Sequence, residues 1–184
     1  MGTPRSQRIG IWIITVVMAV GAVGVYFVAI LANNNDTTDQ QKAADAYTAQ
    51  MKAATEARTA SSKPLDGYSA DTFDAASVTQ LITKDLVVGT GKDVTSSSTI
   101  EANYFGWTAD GKIFDSTNQN GTVTPATFSL SQVISGWTQG LAGAKEGTIR
   151  ELTIPTDLAY GATAAANNKP TGPLKFIVEV KSVQ

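Results

Sequence analysis

Three regimes of hydrophobic and polar patterning follow one another along the chain. The 23 residues from Ile9 to Leu31 carry no charge and are dominated by Ile, Val, Ala, Trp and Phe. That run exceeds the roughly 20 residues a helix needs to span a bilayer. From Asp36 to Ala60 the chain turns polar and Ala-rich, a composition of high helix propensity, with Thr38 or Asp39 placed to cap a helix. Tyr47, Met51 and Ala54 fall at i, i+4 and i+7, a thin apolar stripe too short for sustained heptads. This stretch reads as a solvated helical spacer. Residues 61–76, with Pro64 and Gly67, read as linker, and no internal repeat is evident.

From about Val78 the pattern becomes short strands and turns. Leu86-Val87-Val88 runs into Gly89-Thr90-Gly91, and Ile100 to Trp107 reads as a strand ending at the turn Ala109-Asp110-Gly111. Leu174, Phe176, Val178 and Val180 alternate with Lys175, Glu179 and Lys181, a period-two strand with one buried face. Ile177 breaks the alternation and predicts a partial cover on the other face. One short helix fits, Gly136 to Leu141 with Ser135 as its N-cap. Val133, Ile134, Trp137 and Leu141 would share its sheet-facing side. The expected architecture is α+β, a curved antiparallel sheet wrapped on one short helix. The chain divides into residues 1–8, an anchor at 9–31, a stalk and linker at 32–77, and a globular domain at 78–184.

Charge orients this layout. Arg5 and Arg8 precede the apolar run, and Asn33, Asn34, Asn35 and Asp36 follow it. Positive flanks stay cytoplasmic. The prediction is a single-pass protein of the cell membrane, with residues 1–8 inside and the C-terminal bulk outside. Trp12 and Tyr26 suit interfacial positions. The competing reading is a cleaved signal peptide, whose apolar core is usually about 7–15 residues long with an A-x-A-like exit. Ala29-Ile30-Leu31 matches that exit poorly.

Composition then narrows the chemistry. Net charge is −2, so no basic field points to nucleic acid. The 184 residues include no Cys and no His, which removes disulfides, thiol catalysis, Ser–His relays and most zinc sites. What remains is carboxylates, hydroxyls, lysines, backbone amides and shape, and no cofactor or metal is expected. The aromatic and glycine clusters Tyr104-Phe105-Gly106, Val133-Ile134-Ser135-Gly136-Trp137 and Ala159-Tyr160-Gly161-Ala162 suit a preformed apolar pocket with a few fixed polar groups.

These clusters stand in order with Asp110-Gly111-Lys112-Ile113-Phe114-Asp115-Ser116, Phe128, Gly140-Leu141, Gly147, Leu152-Thr153-Ile154-Pro155, Leu158 and Phe176. Together, over roughly Leu86 to Val183, they resemble the FKBP-type peptidyl-prolyl cis–trans isomerases, the immunophilins that bind the macrolide tacrolimus. The run from Pro125 to Trp137 is similar to the bacterial secreted and surface branch in particular. The resemblance implies rotation of X–Pro bonds in extracytoplasmic proteins. It implies a pocket walled by Tyr104, Phe114, Val133, Ile134, Tyr160 and Phe176, floored by Trp137, with Phe128 in the same set. Asp115, Tyr160 and Tyr104 take the catalytic positions. The Ile134 N–H and the Tyr160 hydroxyl would hold substrate carbonyls, and Asp115 would orient Tyr104 or act at the pocket edge. Partners would be proline-containing polypeptides, with tacrolimus-like macrolides as possible ligands.

Blander readings stand beside these. An aromatic in a strand is most often core, and Asp115-Ser116-Thr117-Asn118 could be a turn with Asp bonded to nearby N–H groups. The chain also departs from many relatives. Ala126 stands where an aromatic is common, and the flap from Ala162 to Pro170 lacks a His and an apolar tip. The alternative function is a non-catalytic proline-peptide-binding or chaperone module on the membrane surface. A purely structural spacer is disfavoured by the retained aromatics.

Overall fold

The computed structural model describes residues 37–184. The apolar run at 9–31 lies outside them, and among the described residues no helix is long and apolar enough to cross a membrane. Helix α1 spans Thr37–Ser61. Thr38 and Asp39 therefore lie in its first turn, not ahead of it.

The strands that follow α1 are β1 (Ser62–Lys63), β2 (Ile82–Val87), β3 (Thr99–Thr108), β4 (Ile113–Ser116), β5 (Asn118–Gln119), β6 (Thr122–Val123) and β7 (Ala126–Ser129). Helix α2 (Ser135–Leu141), β8 (Ile149–Ile154) and β9 (Leu174–Val183) complete the chain. A six-stranded antiparallel sheet runs β2–β8–β9–β3–β4, with β7 also paired to β3. This is the expected α+β layout of a sheet over one short helix.

Pattern explains the sheet's inner face. Leu174, Phe176, Val178 and Val180 of β9 are all fully buried, as are Ile100 and Ala102 of β3 and Leu152 and Ile154 of β8. They pack with Trp137 and Leu141 of α2 in one cluster. The helix sits directly on β8 because its facing residues are glycines. A Cβ at Gly136 would come 2.4 Å from Ile154 Cγ2, and one at Gly140 would come 2.8 Å from Leu152 Cδ2. The expected cap is displaced by one residue: Ile134 is the N-cap and exposed Ser135 opens the helix. The Ile134 carbonyl accepts the Trp137 and Thr138 N–H groups, which fixes it as the half-in residue.

The outer face corrects the linker reading. Phe105, Trp107 and Ile177 point away from the main core and need a cover. Leu65 supplies it, 7% exposed, with Tyr68, Ala70 and Phe73 packed alongside. The Trp107 indole N–H donates to the Asp71 carbonyl at 2.9 Å. β1 pairs with β5, the Asn118 amide donates to the Pro64 carbonyl at 2.8 Å, and Ser116 Oγ donates to the Lys63 carbonyl at 2.7 Å. Residues 62–73 are thus part of the folded unit. The break in alternation at Ile177 was the signal of this cover, but the pattern did not say which segment provides it.

Candidate functional site

The expected aromatics converge. Tyr104 meets Trp137 edge-on with centroids 5.3 Å apart at 86°, and Trp137 meets Phe176 at 5.5 Å and 85°. Phe128 lies edge-on to both Tyr104 and Trp137, at 5.5 Å and 5.2 Å. Phe114 continues the set against Phe176 at 5.5 Å and 89°. Such T-shaped pairs set ring edges against ring faces, the favoured quadrupole arrangement. Gly106 makes room for this cluster: a Cβ there would stand 2.4 Å from Phe176 Cε1 and 2.8 Å from Phe114 Cζ. Trp137 is fully buried and its indole N–H has no hydrogen-bond partner among the described residues, so packing against them holds the ring.

The structure sorts the expected residues by depth. Tyr104, Phe128, Trp137 and Phe176 form the buried back of the site. Val133, Ile134, Phe114 and Tyr160 are half-buried against the same cluster. Phe114, Asp115 and Tyr160 also line an open cleft of about 550 Å³. Among the described residues, neither the Ile134 N–H nor the Tyr160 hydroxyl has a hydrogen-bond partner, and both remain available as donors. Lys169, at the flap, lies over the Tyr160 ring with Nζ 5.5 Å from its centroid.

Asp115 is the polar centre. The Tyr104 hydroxyl donates to its Oδ2, and the Ser116 N–H donates to its Oδ1 at 2.9 Å. The local turn bond and the link to Tyr104 therefore coexist. A third partner went unseen in the sequence: Arg58 of α1 donates from Nε to Oδ1 at 2.5 Å and from Nη2 to the Ser116 carbonyl at 3.1 Å. Thr59 Oγ1 adds a bond to the Phe114 carbonyl at 3.1 Å. The available signal was helical spacing, because Arg58 lies on the same face as Tyr47, Met51 and Ala54. It was masked by a composition that reads as solvated spacer.

Electrostatics follow from burial around this carboxylate. Burial, with Asp115 beside it, pushes the Tyr104 phenol well above its ordinary value. Burial, and more weakly Asp115, pushes Tyr160 up to about 12. Burial is the strongest single influence on Arg58 and lowers it, but the charges and hydrogen bonds of Asp115 and Tyr104 together outweigh it and raise the guanidinium. Burial lowers Lys169 against the opposing pull of Asp115. Both phenols are therefore neutral donors near pH 7. Among the described residues no cluster of acidic side chains is placed to hold a metal ion.

A curved antiparallel sheet wrapped on one short helix, with a buried aromatic cluster behind Asp115, defines the class of fold: an α+β domain. Residues 91–181 match the model of the FKBP-type peptidyl-prolyl cis–trans isomerases. The chain is 39% identical to the FK506-binding protein of Neisseria meningitidis serogroup A over 104 residues, which is 56% of this chain and 95% of that one. It is 38% identical to FkpA of Escherichia coli K12 over 108 residues, 59% of this chain and 39% of that protein. It is 40% identical over 95 residues to the outer membrane protein MIP of Legionella longbeachae, 52% of this chain and 39% of that one. Among solved structures, a peptidyl-prolyl cis–trans isomerase of Pseudomonas syringae pv. tomato superposes with a TM-score of 0.50 at 30% identity, covering 83% of this chain and 99% of that one. The Escherichia coli FkpA structure gives 0.52 at 30% identity, covering 88% and 71%. The chain belongs to the FKBP-type peptidyl-prolyl cis–trans isomerase family.

Proposed function

We propose that this chain accelerates rotation of X–Pro bonds in extracytoplasmic polypeptides, held at the membrane by residues 9–31. The observation that carries the reading is the buried ring cluster of Tyr104, Phe128, Trp137 and Phe176 with Phe114, Asp115 and Tyr160 at its open edge. Proline-containing polypeptides, and macrolides of the tacrolimus type, are the ligands this family binds. The Legionella relative is named an outer membrane protein, which supports a role outside the cytoplasm here.

The chemistry needs no proton transfer. Amide resonance sets a rotation barrier of about 18–20 kcal/mol, and uncatalysed exchange takes tens to hundreds of seconds. The planar amide is the charge-separated form, and twisting removes that separation. An apolar aromatic site disfavours the planar state relative to the twisted one. The proline ring seats against the cluster, with Trp137 deepest. The Ile134 N–H and the Tyr160 hydroxyl donate to substrate carbonyls on either side, which holds the flanking chain while the bond turns. Asp115 keeps Tyr104 fixed and is itself held by Arg58.

The test is NMR exchange on a peptide with an apolar residue before proline, using the full chain in detergent. Cis–trans exchange should accelerate. Asp115→Ala and Tyr160→Phe should each slow it roughly tenfold, the effect of about 1.4 kcal/mol in the transition state. Peptide binding without acceleration by a folded protein would overturn the enzyme reading in favour of a binding module.

A further inference from the structure

The apolar stripe of α1 has no part in the reading above, yet it faces the site. Tyr47, Met51, Ala54, Thr55 and Arg58 form one wall of the cleft whose other wall holds Phe114, Asp115 and Tyr160. Their spacing of four, three, one and three residues keeps them on one helix face. The C-terminal end of the wall is fixed, because Arg58 bonds Asp115 and Ser116, Thr59 bonds the Phe114 carbonyl, and β1 continues straight into pairing with β5.

We propose that α1 is the second wall of an extended client-binding cleft. In it the polypeptide segment next to the bound proline lies with apolar side chains against Tyr47, Met51 and Ala54. This rests on the isomerase reading for the position of the proline. Continuity argues for that occupant: Phe114, Asp115 and Tyr160 border both the proline site and the cleft, so a chain leaving the site passes along α1. Size agrees. The volume of about 550 Å³ falls in the range of roughly 300–1,000 Å³ typical of binding clefts. From Tyr47 to Arg58 the helix rises roughly 16 Å, which an extended chain covers in about five residues. Chemistry agrees too. The thioether of Met51 adapts to varied apolar partners. The cleft's cations Arg58, Lys112 and Lys169 outnumber its one carboxylate, Asp115, which disfavours Lys or Arg in the flank.

The full chain in detergent is titrated with two labelled peptides. One is a blocked tetrapeptide carrying an apolar–Pro pair. The other extends the same pair by about five Leu- and Val-rich residues on each side, enough to run the length of the wall. Affinity is read by fluorescence anisotropy and exchange by NMR. The long peptide should bind roughly tenfold more tightly, the scale of burying one or two further apolar side chains. Met51→Glu and Tyr47→Ser should weaken the long peptide by a similar factor and the short one several-fold less. Equal affinity for both peptides in the unmodified chain would overturn the proposal and leave the cleft to a second copy of the chain. Equal weakening of both peptides in the variants would also overturn it, making α1 a mere support for Asp115. Failure of the isomerase reading shows separately, as a long–short affinity difference without any acceleration of exchange.

Discussion

At the scale of single residues the site is built around one carboxylate with three donors. Asp115 receives Tyr104, the Ser116 N–H and Arg58. Two consequences are measurable. The first is pH dependence. The chain has no imidazole; Tyr160 is pushed up to about 12, and burial raises Tyr104 well above its ordinary value. A phenol donates only while protonated, so the donor role is present below its pKa and lost above it. The isomerisation rate should therefore be flat from about pH 6 to pH 9, where an unperturbed histidine would titrate near 6.5. A step near pH 6–7 in the rate profile would contradict this assignment. The second is the Arg58 link. Its side chain is 33% exposed and that of Asp115 9%. Removing Arg58 leaves a mostly buried carboxylate short of a partner. The expected loss in Arg58→Ala is about 1–2 kcal/mol, below the cost at a fully buried pair because water still reaches the guanidinium. Chemical denaturation checks it. Arg58→Lys should recover only part of the loss, since an ammonium cannot bond Asp115 and the Ser116 carbonyl with the same fork.

At the scale of elements, what could be read from sequence depended on how local the cause was. The β9 alternation from Leu174 to Val180 and the run from Ile100 to Trp107 were legible because a period of two is a property of the strand itself. The aromatic cluster was legible through motifs, since Gly106 and Gly136 occupy positions a Cβ would block. The role of residues 62–73 was not legible. Leu65, Tyr68 and Phe73 are spaced irregularly and carry no period, and their purpose appears only against Phe105, Trp107 and Ile177. Leu65→Ala tests this directly. A spacer residue would cost nothing, whereas a buried leucine should cost roughly 2–4 kcal/mol and lower Tm accordingly.

A second element-scale prediction concerns acid stability. Arg150 of β8 bonds Asp85 of β2 through Nε at 2.5 Å and Nη2 at 3.0 Å, and its Nη1 donates to the Gly140 carbonyl at the end of α2 at 2.8 Å. The Arg150 hydrogen bond holds the Asp85 carboxyl below its ordinary value. A depressed carboxylate contributes stability above its unfolded pKa of about 3.9, and that contribution fades as pH falls through the folded value. The Tm gap between wild type and Asp85→Asn should be full at pH 6–7 and close below about pH 4. A gap that persists unchanged at pH 2.5 would assign the Asp85 effect to packing instead of charge.

At the scale of the whole molecule, the packing of α1 and residues 62–73 onto the domain changes what a topology experiment should find. Arg5 and Arg8 before the apolar run argue for N-in, C-out insertion. The chain should fractionate with membranes and be reached only by protease added from outside. A segment that behaved as plain linker would be cut between Ser61 and Ala76. That segment instead pairs through β1, buries Leu65 and accepts the Trp107 indole bond. Cleavage requires a stretch of backbone to leave its partners, so the segment held by contacts with the domain resists, and the exposed N-terminal part of α1, held mainly by its own helical bonds, opens and is cut first. The released fragment should therefore begin upstream of Arg58, where the side chains of residues 41–50 are exposed, and should keep Leu65. N-terminal sequencing of that fragment reads the outcome. A cut inside 61–76 would mean the cover on the outer face opens readily. A mature N-terminus just after Ala29 or Ala32 in untreated cells would make the apolar run a cleaved signal peptide, and the anchor would be wrong.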